Sequence, residues 1–289
     1  KLDKTTIDRR INWLLEAGEW MLAPNGDPNL APDIINNSWA TKTTSKDGID
    51  EWYRSMVQAW RAAGILPVFA TGNDTSRTGA KVGSVGVPAN YPESFAVGAV
   101  DNKNILAKFS KRGPSQYGGE EIKPEVVAPG LTDAEIPAGP GQPLVPATGI
   151  KSSVPGGYQT MLGTSMAAPH VTGAVALLLS ANKSLTVNEL EDIIIKTATP
   201  LVDSTYITTP NHGYGYGLVN AYDAVNSILD NNTNITISGK VLGEVNEVKD
   251  LEIIHQPNIY IFDNKEMPIF ARIKGEIAFS YLTDVFHEK

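Results

Sequence analysis

Gly163-Thr164-Ser165-Met166-Ala167-Ala168-Pro169-His170 leads straight into Val171 and then the uninterrupted apolar run Ala174-Val175-Ala176-Leu177-Leu178-Leu179. The run predicts a helix over 166–179 that is apolar on every side, and such a helix is buried. The first turn of a helix leaves backbone N–H groups unpaired and carries the positive end of the helix dipole. A serine there faces donors suited to a developing oxyanion, which makes Ser165 a candidate nucleophile. Pro169 is expected to cost little in a first turn, where its missing N–H would lack an intrahelical partner. For an isolated Gly-Thr-Ser the ordinary reading is a serine that caps its helix. What overturns it is the rest of the chain.

Outward from this stretch the pattern is α/β. Apolar positions from Ile7 to Leu22 recur at helical spacing and stop before Pro24-Asn25-Gly26. Asp33 to Asn36 reads as a strand, Trp52 to Ala63 as a helix closed by Gly64, and Ile65 to Ala70 as an interior strand. Strand, helix, strand signals a parallel sheet. Phe95 to Val100 is a further interior strand, and Val219 to Leu229 a last helix. Between Gly130 and Gly149, prolines at 137, 140, 143 and 146 with Gly139 and Gly141 predict a surface loop. A polyproline II ligand is the alternative for that stretch. After Asp230-Asn231-Asn232 the pattern turns to short alternating segments, placing a boundary near residue 230. The 60 or so residues beyond it are too few for a sandwich of about 100 residues, so residues 230–289 read as a partial β module.

Composition narrows the function classes. The 289 residues carry 24 Lys+Arg against 32 Asp+Glu, a net charge of −8 that argues against nucleic acid as a partner. Hydrophobic residues at 42% and charged residues at 19% are ordinary for a globular chain. Cysteine is absent, which removes disulfides, thiolate zinc sites and cysteine nucleophiles. The longest apolar run is far short of the ~20 residues that cross a bilayer.

The 163–170 segment resembles the nucleophile motif of the subtilisin-like serine proteases, and the resemblance continues from about Ile7 to Val225. Val68-Phe69-Ala70-Thr71-Gly72-Asn73 is similar to that family's strand ending in Gly-Asn. Ile34-Ile35-Asn36-Asn37-Ser38-Trp39 is similar to its cleft-lining strand. Val87-Pro88-Ala89-Asn90-Tyr91-Pro92, Val97 to Val100, Phe109-Ser110, Gly113-Pro114, Ala128-Pro129-Gly130 and Gly213 to Ala221 follow in the family's order. The branch it most resembles is one in which the peptidase domain is followed by further β modules.

The resemblance implies a three-layer fold around a mostly parallel sheet. It also implies peptide-bond hydrolysis by Ser165, with the Asn73 side chain and the Ser165 N–H as oxyanion donors. A polypeptide substrate would add as a strand beside Ser38, Trp39 and Ala40. Ala40-Thr41 departs from the glycine usual after that strand, so the cleft edge is expected to be less open. Ala70, Thr71 and Gly72 would line an uncharged pocket suited to a bulky apolar side chain. The backbone carbonyls of Ala89, Tyr91 and Ser94 correspond to a weak calcium site in relatives, and oxygens suit a hard cation. An ordinary proline-rich turn is the other reading of those carbonyls. The family further implies secretion.

A protease of this kind also needs a histidine base and an orienting aspartate. The first histidine in the chain is His170, about 140° round its helix from Ser165 and unable to reach the hydroxyl. His212 reads as an incidental surface histidine, and His255 and His287 lie in the tail. Neither Asp-Ser/Thr-Gly nor His-Gly-Thr precedes Ser165. A sedolisin-type site with a glutamate base would want an acid where Asn73 stands. The expectation is a chain that begins after the base-bearing segment, inactive unless an N-terminal segment or second chain supplies Asp and His. Apolar sheet edges are then expected to be open at Ile34-Ile35 and at Ile65 to Ala70. The competing class is a non-catalytic relative that keeps the cleft to hold peptides.

Overall fold

Successive side chains of a strand point to opposite faces, so the wholly buried strand Leu66–Ala70 must be covered on both sides. In the computed structural model, which describes residues 4–41, 49–76, 78–118, 121–132, 136–137, 144–145 and 148–229, it is covered so. Leu66, Val68 and Ala70 join one apolar cluster, and Phe69 joins another on the opposite face.

The sheet is parallel, in the order β1 (Ile34–Asn37), β2 (Leu66–Ala70), β3 (Phe95–Val100), β4 (Val126–Pro129). Its register sets Ile34 opposite Leu66, Val68 opposite Phe95 and Val97 opposite Val126. Helices α1 (Lys4–Leu22) and α2 (Arg54–Ala62) cover one face, where Met56, Val57 and Trp60 pack on Ile35 and Phe69. Helices α3 (Thr164–Ala181), α4 (Val187–Thr197) and α5 (Ala221–Ile228) cover the other. Thr186 and Glu189 form a reciprocal capping box that starts α4. The result is the three-layer α/β architecture expected.

Four expectations need correction. Ile65 to Ala70 is no open edge, because β1 and β3 flank β2; among the described residues the outer side of β1 lacks a paired strand, as expected for Ile34-Ile35. On the far side, Val127 of β4 bonds to Gly217 and Val219. Helix α3 is as apolar as expected and long enough to span a bilayer, yet it is not buried all round. Its inner face packs into the core, while Gly173, Ala176 and Ser180 are exposed. Helix α3 also begins earlier than expected, so Pro169 stands in its second turn. Finally, part of the proline- and glycine-rich stretch is paired: β5 (Ile136–Pro137) and β6 (Leu144–Val145) run antiparallel.

A hairpin of β7 (Ile150–Val154) and β8 (Gly157–Met161), unforeseen in the sequence, leads into α3. The chain divides into units Lys1–Ile228 and Leu229–Lys289. The partial β module assigned to 230–289 lies outside the described residues.

Candidate active site

The site is assembled where two carboxyl ends of parallel strands meet the start of α3. Asn73 follows β2, and its side-chain oxygen accepts from the Thr164 N–H at 3.0 Å and the Thr164 hydroxyl at 3.1 Å. The Thr164 hydroxyl in turn accepts from the Gly72 N–H at 3.2 Å. Asn73 therefore caps α3 from another part of the chain, and Ser165 is relieved of that role.

Holding the amide by its oxygen leaves its nitrogen as the donating end. That nitrogen lies close to Gly163, where a Cβ would come within 3.0 Å of Nδ2. Gly163 has φ +142°, a conformation that also favours glycine. Asn73 is exposed, while Thr164, which holds its oxygen, is fully buried.

Ser165 sits second in α3. Its hydroxyl donates to the Ser38 carbonyl at 2.9 Å, and the Ser38 hydroxyl donates to the Ser165 carbonyl at 2.8 Å. Pro169 accounts for the second bond. Within a helix the Ser165 carbonyl would receive the N–H four residues on, and Pro169 has none to give. The sequence showed Ser38, Ser165 and Pro169, but nothing in their spacing announces that Ser38 supplies the donor that Pro169 lacks.

Trp39 donates to Asn37 at 3.2 Å and packs its ring on Trp52, Tyr53 and Phe69, holding the segment after β1 in place. Ala40 lies against two glycines: a Cβ at Gly72 would meet its methyl at 3.2 Å, and one at Gly86 at 3.0 Å. Thr41 then bonds to Val87 in both directions. Ala70, Thr71 and Gly72 are buried at the end of β2, and the buried Thr71 hydroxyl lacks a partner. No charged side chain belongs to this trio.

The other candidates fall elsewhere. The His170 ring is exposed and bonded to the Met166 carbonyl on its own helix. His212 is half-buried rather than a surface residue: its carbonyl accepts from the Gly113 N–H, and its shielded Nδ1 lacks a partner. Of the three carbonyls given to calcium, that of Tyr91 accepts from the Ser94 N–H, and that of Ser94 accepts from the buried Lys123 ammonium. Among the described residues, no group of three His, Asp or Glu side chains is arranged to hold a metal.

A hydroxyl at a helix start with an amide nitrogen close to the same turn is a geometry that can serve acyl transfer. The chain belongs to the subtilase family, whose sequence pattern it matches over residues 4–217. It is 47% identical to Bacillopeptidase F of Bacillus subtilis (strain 168) over 257 residues, which is 86% of this chain and 16% of that protein. It is 33% identical to Subtilisin E of the same organism over 225 residues, 78% of this chain and 47% of that protein. The chain thus spans about half or less of the length of these relatives. Among solved structures, that of the prenylagaramide maturation protease PagA superposes with a TM-score of 0.54 at 25% identity, covering 80% of this chain and 70% of that one.

Proposed function

We propose that residues 1–229 form the nucleophile-bearing part of a secreted serine endopeptidase. Ser165 attacks the carbonyl of a polypeptide substrate laid along Ser38, Trp39 and Ala40, and the Asn73 amide and Ser165 N–H receive the negative oxygen. The histidine base and its aspartate come from an N-terminal segment or a second chain. The observation that carries this reading is the Asn73 side chain, bonded by its oxygen to Thr164 and so presented beside the next residue, Ser165. Two features support an outside source for the base. His170 is turned onto its own helix, and the Ser165 hydroxyl rests on a backbone carbonyl, which does not activate it. The unpaired side of β1 and the bare side of α3, tied to each other by the Thr172 hydroxyl on Asn36, offer the place for such a segment.

The same resting hydroxyl favours a second reading, a peptide-holding module without chemistry. A fluorophosphonate probe separates the two, because it reacts only with an activated serine. The full-length protein is expected to label at Ser165 and the 289-residue chain alone to stay unlabelled. A full-length protein that does not label overturns the enzymatic reading.

A further inference from the structure

Lys123 is fully buried, and burying an ammonium is costly unless it is well paired. It stands just before β4, and the pairing of β4 with β3 brings it alongside the turn that ends at Ser94. There its ammonium donates to the Ser94 carbonyl at 2.5 Å and to the Glu125 carboxylate. Glu125 is anchored from the other side by the Ala96 N–H at 2.7 Å. The turn itself is internally bonded: the Pro88 carbonyl accepts from the Tyr91 N–H and the Ser94 hydroxyl, and the Tyr91 carbonyl accepts from the Ser94 N–H. A hard cation wants six or more oxygens and a surplus of negative charge. The Ala89, Tyr91 and Ser94 carbonyls do not fit that demand, because one already holds a positive group whose charge the single carboxylate balances.

We propose that Lys123 is this turn's built-in cation: its ammonium clamps Ser94 to Glu125 at the β3–β4 junction, and no calcium binds to these three carbonyls. The turn's order is therefore independent of dissolved metal. This stands apart from the chemistry assigned to Ser165.

Crystals of the full-length protein soaked in calcium, and separately in thallous ion as a monovalent probe, test it by anomalous scattering. The wild type is expected to show no peak within about 2.3–2.6 Å of the Ser94 carbonyl. Lys123→Ala, which vacates the position and leaves Glu125, is expected to show one. Its unfolding midpoint is expected to rise by about 3–6 °C at metal concentrations near ten times Kd, with the wild type unmoved by binding at this turn. A peak at these carbonyls in the wild type overturns the proposal, and so does a folded Lys123→Ala that binds neither ion there. Should Lys123→Ala not fold, the wild-type soak decides by itself, and Lys123→Arg is expected to keep the site free of metal.

Discussion

Ser38 and Ser165 each donate a side-chain hydroxyl to the other's backbone carbonyl, at 2.8 and 2.9 Å. The exchange ties the strand that would line the substrate to the residue that would attack it. One half compensates for Pro169, so the two should be energetically coupled. Ser38→Ala is expected to cost about 1 kcal/mol of stability, the usual worth of a hydrogen bond. In a Pro169→Ala background, where the N–H returns, the same change should cost markedly less. Urea unfolding of the four proteins measures the coupling; equal costs in both backgrounds would show that Ser38 does not stand in for the missing donor.

Asn73 is predicted to act through its amide nitrogen. Asn73→Ala should lower kcat about 10²–10³-fold with little change in KM, the magnitude known for such donors from subtilisin itself. Gly163→Ala should lose activity as well, since the added methyl would come within 3.0 Å of that nitrogen at φ +142°. Steady-state kinetics on a peptide substrate check both, and a KM effect without a kcat effect would assign Asn73 to binding instead.

The Ala40 methyl would lie 3.2 Å from a Cβ at Gly72 and 3.0 Å from one at Gly86, and under the proposed function it narrows the substrate path there. Ala40→Gly is expected to raise kcat/KM about tenfold for substrates with a bulky apolar side chain at the pocket proposed for Ala70, Thr71 and Gly72, the worth of about one methyl group. Small side chains should gain little. Competition between paired peptides measures the ratio, and an unchanged ratio would place the pocket elsewhere.

Burial pushes the Glu125 carboxyl up to about 7, against the opposing pull of Lys123 and the Ala96 N–H. A carboxyl raised in the folded state adds stability that is whole below its unfolded value near 4.5 and is lost as pH rises to about 7. Glu125→Gln should remove that slope, so the difference in stability between wild type and variant should shift in the variant's favour from pH 4.5 to 7.5. Chemical denaturation at several pH values tests this, and parallel curves would contradict it.

The layers were legible because apolar periodicity is local: Ile65 to Ala70 and Phe95 to Val100 read as interior strands with no knowledge of their neighbours. Ser165 and Asn73 were legible as residues, through Gly-Thr-Ser ahead of an apolar helix and Gly-Asn after a strand. Their arrangement was not. That Asn73 caps α3, that Ser38 replaces a donor lost to Pro169, and that Lys123 reaches Ser94 are contacts between residues 91, 127 and 29 positions apart. No local pattern encodes them. The β7–β8 hairpin escaped because its exposed residues leave no alternation of buried and open positions to read. His212 was misplaced because shielding by Gly113 depends on the fold.

The most direct test of the account is a structure of the full-length protein with a peptide boronate bound. The account predicts a tetrahedral adduct on the Ser165 hydroxyl, with one boronate oxygen about 2.7–3.1 Å from Asn73 Nδ2 and from the Ser165 N–H. An adduct whose oxygens all turn away from Asn73, or boron attached anywhere but Ser165, would contradict it.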